Sequence, residues 1–149
     1  MEVLSIKNLH KRFGEKLQYA VDNASLTVNK GELLALVGES GSGKTTLLRL
    51  IAGFEEADQG QISINGDKVV DDNFSMKPEK RKIGMVFQDY ALFPHLTVAE
   101  NIKFGLSKSQ FPNLDDRVRE VTDMVGLSSY ANRYPHHLSG GQQHRVALA

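Results

Sequence analysis

The sequence predicts an α/β protein organised around a phosphate-binding loop, and three observations carry that prediction. The first is Gly38-Glu39-Ser40-Gly41-Ser42-Gly43-Lys44-Thr45-Thr46, where Gly38, Gly43, Lys44 and Thr45 fit the pattern G-x-x-x-x-G-K-[ST]. The second is the setting of this stretch. The apolar run 33–37 (Leu-Leu-Ala-Leu-Val) leads into it and Leu47-Leu48-Arg49-Leu50-Ile51-Ala52 follows, the order strand, glycine-rich loop, helix. The third is a change of pattern along the chain, from alternating strand-like stretches in the first half to helical spacing in the second.

The loop needs these residue types for physical reasons. Glycines let successive backbone N–H groups approach a polyphosphate with no Cβ in the way. A helix beginning near Lys44 adds unpaired N–H groups and the positive end of its dipole. Lys44 can then reach the β- and γ-phosphates, and the Thr45 hydroxyl can ligate Mg²⁺.

Composition narrows the alternatives. The 149 residues carry 18 basic and 18 acidic side chains, a balance that gives no bias toward nucleic acid or anionic lipid. Cysteine is absent, which excludes disulfides and cysteine zinc sites and fits a cytoplasmic location. No apolar run approaches the roughly 20 residues that span a bilayer, and Met1 opens no signal peptide.

Taken in order, residues 3–9 alternate as a half-exposed strand, and 24–28 alternate again. Asn29-Lys30-Gly31 turns the chain into residues 33–37, read as a buried strand. Residues 61–64 and 68–70 flank Asn65-Gly66, a hairpin signal because both turn residues tolerate positive φ. Residues 71–82 are polar, contain Pro78, and read as a solvated loop or short helix. Ile83-Gly84-Met85-Val86-Phe87 reads as another buried strand ending at Gln88. Thr97 and Glu100 form a capping box for a helix toward Phe104. Residues 115–125 set Val118, Val121 and Val125 on one helical face, with Gly126 at its C-cap. His136 and His137 show no metal spacing and read as surface residues.

Leu138-Ser139-Gly140-Gly141-Gln142 follows, ahead of a helix read as starting at Gln143. Downstream of a phosphate-binding loop, this string makes the chain resemble the nucleotide-binding domain of ATP-binding cassette (ABC) transporters, whose signature is LSGGQ. The resemblance covers essentially all 149 residues. It implies a P-loop NTPase fold of the ABC type, with an antiparallel β subdomain, an incomplete RecA-like core and a helical signature subdomain. Residues 1–88 would hold the β subdomain and the P-loop portion of the core, and 89–149 the connector and signature subdomain.

The resemblance also implies roles. Gly38, Ser40, Gly41, Ser42, Gly43, Lys44, Thr45 and Thr46 would hold ATP, with Thr45 and Gln88 toward Mg²⁺ and Gln88 and Lys44 serving catalysis. Phe13, in Lys11-Arg12-Phe13-Gly14, falls where the family stacks an aromatic, usually tyrosine, on adenine. Ser139, Gly140, Gly141 and Gln142 would meet the γ-phosphate held by a second ATPase subunit, in a head-to-tail dimer. The stretch from Gln88 to Pro94, with Tyr90, Leu92 and Phe93, would face a transmembrane permease subunit. Residues 87–98 as a whole resemble importers for iron(III), polyamines, sulfate or maltose, and that resemblance implies a protein peripheral on the inner face of the membrane.

Family members continue with an apolar strand ending in aspartate and glutamate, then a switch histidine, and none of these is present. Asp71-Asp72, Asp115-Asp116 and Asp123 are read as not following an apolar strand, so none stands in for the pair. The chain therefore looks like the N-terminal part of a longer ATPase, inactive alone and without the family's complete core. Residues 33–37 and 83–87 would then face an empty slot. The alternatives are a non-hydrolytic nucleotide-binding or interaction fragment, and an ABC ATPase of DNA maintenance. The short, heptad-free segment between Gln88 and Ser139 argues against the second.

Overall fold

Two β-rich stretches near the start pair first: β1 (Glu2–Lys11) and β2 (Val21–Asn29) run antiparallel. The computed structural model describes residues 1–14, 18–107 and 109–149. It divides into two units, Met1–Gly84 and Met85–Ala149.

In the first unit β1 also pairs with β3 (Gln59–Ile64), β3 with β4 (Asp67–Asp71), and β4 with β5 (Phe74–Ser75). The sheet order is β2-β1-β3-β4-β5, antiparallel throughout. Simple alternation along β1 breaks at Asn8, whose φ of 48° sits where the pairing register shifts. That bulge is why Ile6 and Leu9, three residues apart, are both buried. Asn65 and Gly66, at φ 51° and 87°, close the β3–β4 hairpin as their residue types predict. Helix α1 (Lys44–Ala52) adds Leu47 and Leu50 to a core with Ile6, Leu9, Val21, Ile62, Ile64 and Val70.

Three sequence expectations need correction here. Residues 33–37 and 83–87 are in no strand. Leu33 is 96 % exposed and Val37 93 %, and Ile83 and Val86 are also exposed; Leu36 alone of its run packs partly on the core. An apolar run becomes a buried strand only where neighbouring strands take its N–H and C=O groups, and among the described residues none lies beside either run. Second, residues 71–82 are not simply a solvated loop. They hold β5, a 3₁₀ turn at Pro78–Lys80, and Arg81, which is only 2 % exposed. Third, Asp71 does end a strand, β4, after buried Val69 and Val70. That strand lies in the antiparallel sheet, and the Asp71 carboxylate is engaged by Lys68 at 3.6 Å and by the Asn73 amide at 3.0 Å.

The second unit is helical. Helices α2 (Val98–Phe104), α3 (Leu114–Met124) and α4 (Gly140–Leu148) enclose Val98, Ile102, Val118, Val121, Leu127, Leu138 and Val146. Val125 packs against this core beside Val118 and Val121, and His136 and His137 are exposed. No helix among the described residues is long and apolar enough to cross a membrane.

Thr97 and Glu100 form the expected capping box. The Glu100 carboxylate accepts from the Thr97 amide at 2.8 Å and hydroxyl at 2.9 Å, while the Glu100 amide donates to the Thr97 hydroxyl. These bonds, the backbone one first, hold the Glu100 carboxyl below the usual glutamate range. A lowered folded value contributes stability that is present above the unfolded value and lost as pH falls through the folded one. In an NMR pH titration Glu100 should therefore titrate below the ordinary glutamate value, and Thr97→Ala, which removes the hydroxyl but keeps the amide, should raise it only part of the way back. An ordinary value in the unmodified chain would show that the cap does not hold the carboxylate.

Candidate functional site

The phosphate-binding stretch is built in the first unit, at the amino end of α1. Gly41 and Gly43 lie at φ 81° and 91°, and Gly43 is the N-cap residue. A methyl group at Gly43 would meet the Ala20 carbonyl oxygen at 2.0 Å, so glycine is required by the close passage as well as by φ. The Leu47 amide donates to the Gly43 carbonyl at 2.8 Å. Among the described residues the amides of Gly41, Gly43, Lys44, Thr45 and Thr46 have no protein acceptor, no side chain caps α1, and its first turn contains no acid. The helix presents bare donors to an anion. Lys44 Nζ lies within the same loop, donating to the Gly38 and Glu39 carbonyls at 2.7 and 2.5 Å and to Ser42 Oγ at 3.2 Å. A cleft of about 350 Å³ adjoins the loop, lined by Ala20, Val37, Gly38, Ser42 and Lys44 among others.

The other end of α1 is fixed by a residue that sequence reading missed. Arg81 donates to the carbonyls of Leu50 at 2.6 Å, Ile51 at 2.9 Å and Met76 at 2.8 Å, and to Ser75 Oγ at 3.1 Å. It thus satisfies carbonyls near the helix C-terminus and ties them to the β5 segment. Burial pushes its guanidinium down from the usual arginine value. Glu79, Lys80 and Lys82 surround it in sequence, so local composition gave no sign of its inward position.

Phe13 is 42 % exposed, with Lys11 Nζ 5.2 Å from its ring centroid. Its segment is anchored near the loop. The Ala20 amide donates to the Lys11 carbonyl at 2.8 Å, and Ala20 is the residue against which Gly43 passes. Lys11 also pairs with Glu55 at 3.0 Å, and the Arg12 amide donates to Asp58 at 2.6 Å. An exposed ring and the glycine-rich loop therefore share one end of this unit.

Gln88 and the string 138–142 belong to the second unit. Gln88 is exposed at the head of a turn in which the Tyr90 amide donates to the Phe87 carbonyl. Further on, Phe93 and Pro94 are exposed while Leu92 packs partly on the core. The Asn101 side chain clamps this connector, accepting from the Phe93 amide at 2.9 Å and donating to the carbonyls of Leu96 at 3.0 Å and Thr97 at 2.9 Å. Helix α4 begins at Gly140, three residues earlier than the reading at Gln143. The cause is a second capping box: Ser139 Oγ accepts from the Gln142 amide at 3.3 Å, and Gln142 Oε1 accepts from the Ser139 amide at 2.8 Å. Gly140 and Gly141, both exposed, form its first turn without an acidic residue.

Comparison with known proteins gives a consistent result. Residues 21–149 match the family described as ABC transporter. The chain is 49 % identical over 149 residues to the putrescine transport ATP-binding protein PotG of Escherichia coli, covering 99 % of this chain and 38 % of that one. It is 53 % identical over 150 residues to the Fe(3+) ions import ATP-binding protein FbpC of Pseudomonas fluorescens, covering 100 % and 42 %. It thus spans about two fifths of the length of these curated relatives. Among solved structures it is similar to the dimeric bacterial ABC transporter cassette MJ0796, at 35 % identity and a TM-score of 0.80, covering 97 % of this chain and 67 % of that one.

Proposed function

The chain belongs to the ABC transporter family, and on that premise we propose that it is the nucleotide-binding portion of an ATP-binding subunit powering transport across a membrane. The observation that carries this is the amino end of α1, where unpaired amides and Lys44 converge on one loop. Its donor set fits a nucleotide polyphosphate: several N–H groups, one flexible cation, and the Thr45 hydroxyl for Mg²⁺. ATP, when bound, supplies the phosphoanhydride bond whose cleavage drives transport. The chain's own part is to hold it: Gly38, Ser40, Gly41, Ser42, Gly43 and Thr46 shape the loop, and Lys44 exchanges its carbonyl partners for phosphate oxygens. Phe13 offers its exposed face to adenine, and Gln88 is assigned to the Mg²⁺ ion.

Ser139, Gly140, Gly141 and Gln142 are assigned to the nucleotide of a second subunit, since a capped helix start with bare glycine amides suits an anion. The segment from Gln88 to Pro94 is assigned to a permease subunit, with the protein on the cytoplasmic face of the membrane. Residues 1–88 and 89–149 are assigned to the β and P-loop portion and to the signature portion of one partial ATPase domain. The relatives' printed names support transport into the cell, of polyamines or iron(III).

The trans assignment has a direct test in the protein that carries this chain. Ser139→Arg places bulk where a partner's γ-phosphate would enter, so ATP-driven dimerisation should disappear from sizing chromatography. Calorimetric nucleotide binding to the monomer should stay within about twofold, a change under roughly 0.5 kcal/mol. A Ser139→Arg protein that still dimerises with ATP contradicts the assignment.

A further inference from the structure

Two successive non-glycine residues, Tyr90 and Ala91, lie in the left-handed region at φ 64° and 49°, immediately beyond the Gln88 turn. Such a pair persists only where the surroundings over-determine it, and strain of this kind gathers at functional segments. The surroundings here are visible. The Tyr90 amide is held by the Phe87 carbonyl at 3.0 Å on one side, and Asn101 holds Phe93 on the other. The outcome is the placement of one side chain. The Tyr90 ring lies 5.5 Å from the His144 ring, inclined by 32°, on α4. Its hydroxyl sits 4.0 Å from where a methyl group on Gly140 would lie. A side chain two residues from Gln88 therefore rests on the first turns of the signature helix, inside a single unit.

We propose that Tyr90 is a positioning residue: its ring couples the loop carrying Gln88 to the phosphate-facing turn of α4, so that displacement of that loop is delivered to residues 139–142. The consequence for catalysis rests on the reading of the chain as an ATP-binding subunit, whereas the coupling itself does not. The strained backbone aims the ring, the ring bears on His144 and overhangs Gly140, and α4 moves as a rigid element because both its cap and its anchor are formed. The anchor is Gln143, whose Nε2 donates to the Pro135 carbonyl at 2.9 Å. A merely space-filling Tyr90 would stabilise the unit without linking the two segments.

The test separates the coupling from the function. In NMR spectra, Gln88→Ala should shift the Gly140 and Gly141 amide resonances when position 90 is Tyr or Phe, and leave them unmoved when it is Leu. Equal shifts in the Tyr90→Leu background overturn the proposal, whatever the protein does with ATP. In the protein that carries this chain, Tyr90→Leu should lower kcat about ten- to hundredfold, the scale of a small misplacement acting at a distance. KM for ATP should stay within about twofold, and Tyr90→Phe should restore kcat. A wild-type kcat in Tyr90→Leu, or a loss that Tyr90→Phe does not rescue, also overturns it. Should Tyr90→Leu fail to fold, His144→Ala removes the other ring from an exposed position and should reproduce the kcat loss. A His144→Ala protein with unchanged kcat then counts against the coupling.

Discussion

Arg81→Met is expected to destabilise the 1–84 unit by about 3 kcal/mol, the scale of losing charge-assisted hydrogen bonds and leaving a buried acceptor unsatisfied. Arg81 is 2 % exposed, and its guanidinium serves three backbone carbonyls and one hydroxyl. Methionine restores the volume but none of the donors, and each buried acceptor left unsatisfied costs about 1–3 kcal/mol. Against a domain stability of roughly 5–15 kcal/mol, this is a large fraction. Gly53 makes the fit closer still, since a methyl group there would come within 2.6 Å of Arg81 Nε. Urea denaturation followed by circular dichroism measures the effect. A loss below about 1 kcal/mol would mean that the carbonyls of Leu50, Ile51 and Met76 find water once the arginine is gone.

Lys44→Ala should behave in the opposite manner, with a large effect on binding and almost none on stability. Its present partners, the Gly38 and Glu39 carbonyls, are in an exposed loop and hydrate freely when the lysine is removed. Stability should stay within roughly 0.5 kcal/mol, as for other surface changes. The ammonium's charge-assisted contact to a phosphate is worth roughly 1.5–3 kcal/mol, so ATP affinity should fall about ten- to hundredfold. Calorimetry on the wild-type and Lys44→Ala forms of the protein carrying this chain reads the difference. Equal affinities would remove Lys44 from the phosphate site.

Where a local signal contains its own cause, the sequence was readable. Asn65-Gly66 makes its turn because both residues accept positive φ, and Thr97 with Glu100 caps α2 because the bonding groups lie three residues apart. The glycine-rich loop and Ser139 are of the same kind, since each needs only a following helix. Residues 33–37 were misread because apolar character states a preference for burial, while a strand requires partners that the local sequence does not contain. Arg81 escaped notice for a related reason. A charge among charges reads as solvated until the helix end that it serves is folded beside it. The bulge at Asn8 and the left-handed pair at Tyr90 and Ala91 likewise follow from packing that composition does not announce.

The central claim is that the α1 loop holds nucleotide and the α4 start serves the nucleotide of a second subunit. Mixing two defective forms of the protein that carries this chain tests it most directly. Lys44→Ala disables the loop, Ser139→Arg disables the signature turn, and neither alone should form an ATP-dependent dimer. In a head-to-tail pair of the two, one site combines both defects, while the other joins an intact loop to an intact signature turn. Light scattering should therefore show an ATP-dependent heterodimer in the mixture, holding one nucleotide between its subunits. If each subunit used its own loop with its own signature turn, no site in the mixture would be whole. A mixture that remains monomeric with ATP, from proteins whose unmodified form dimerises, would contradict the account.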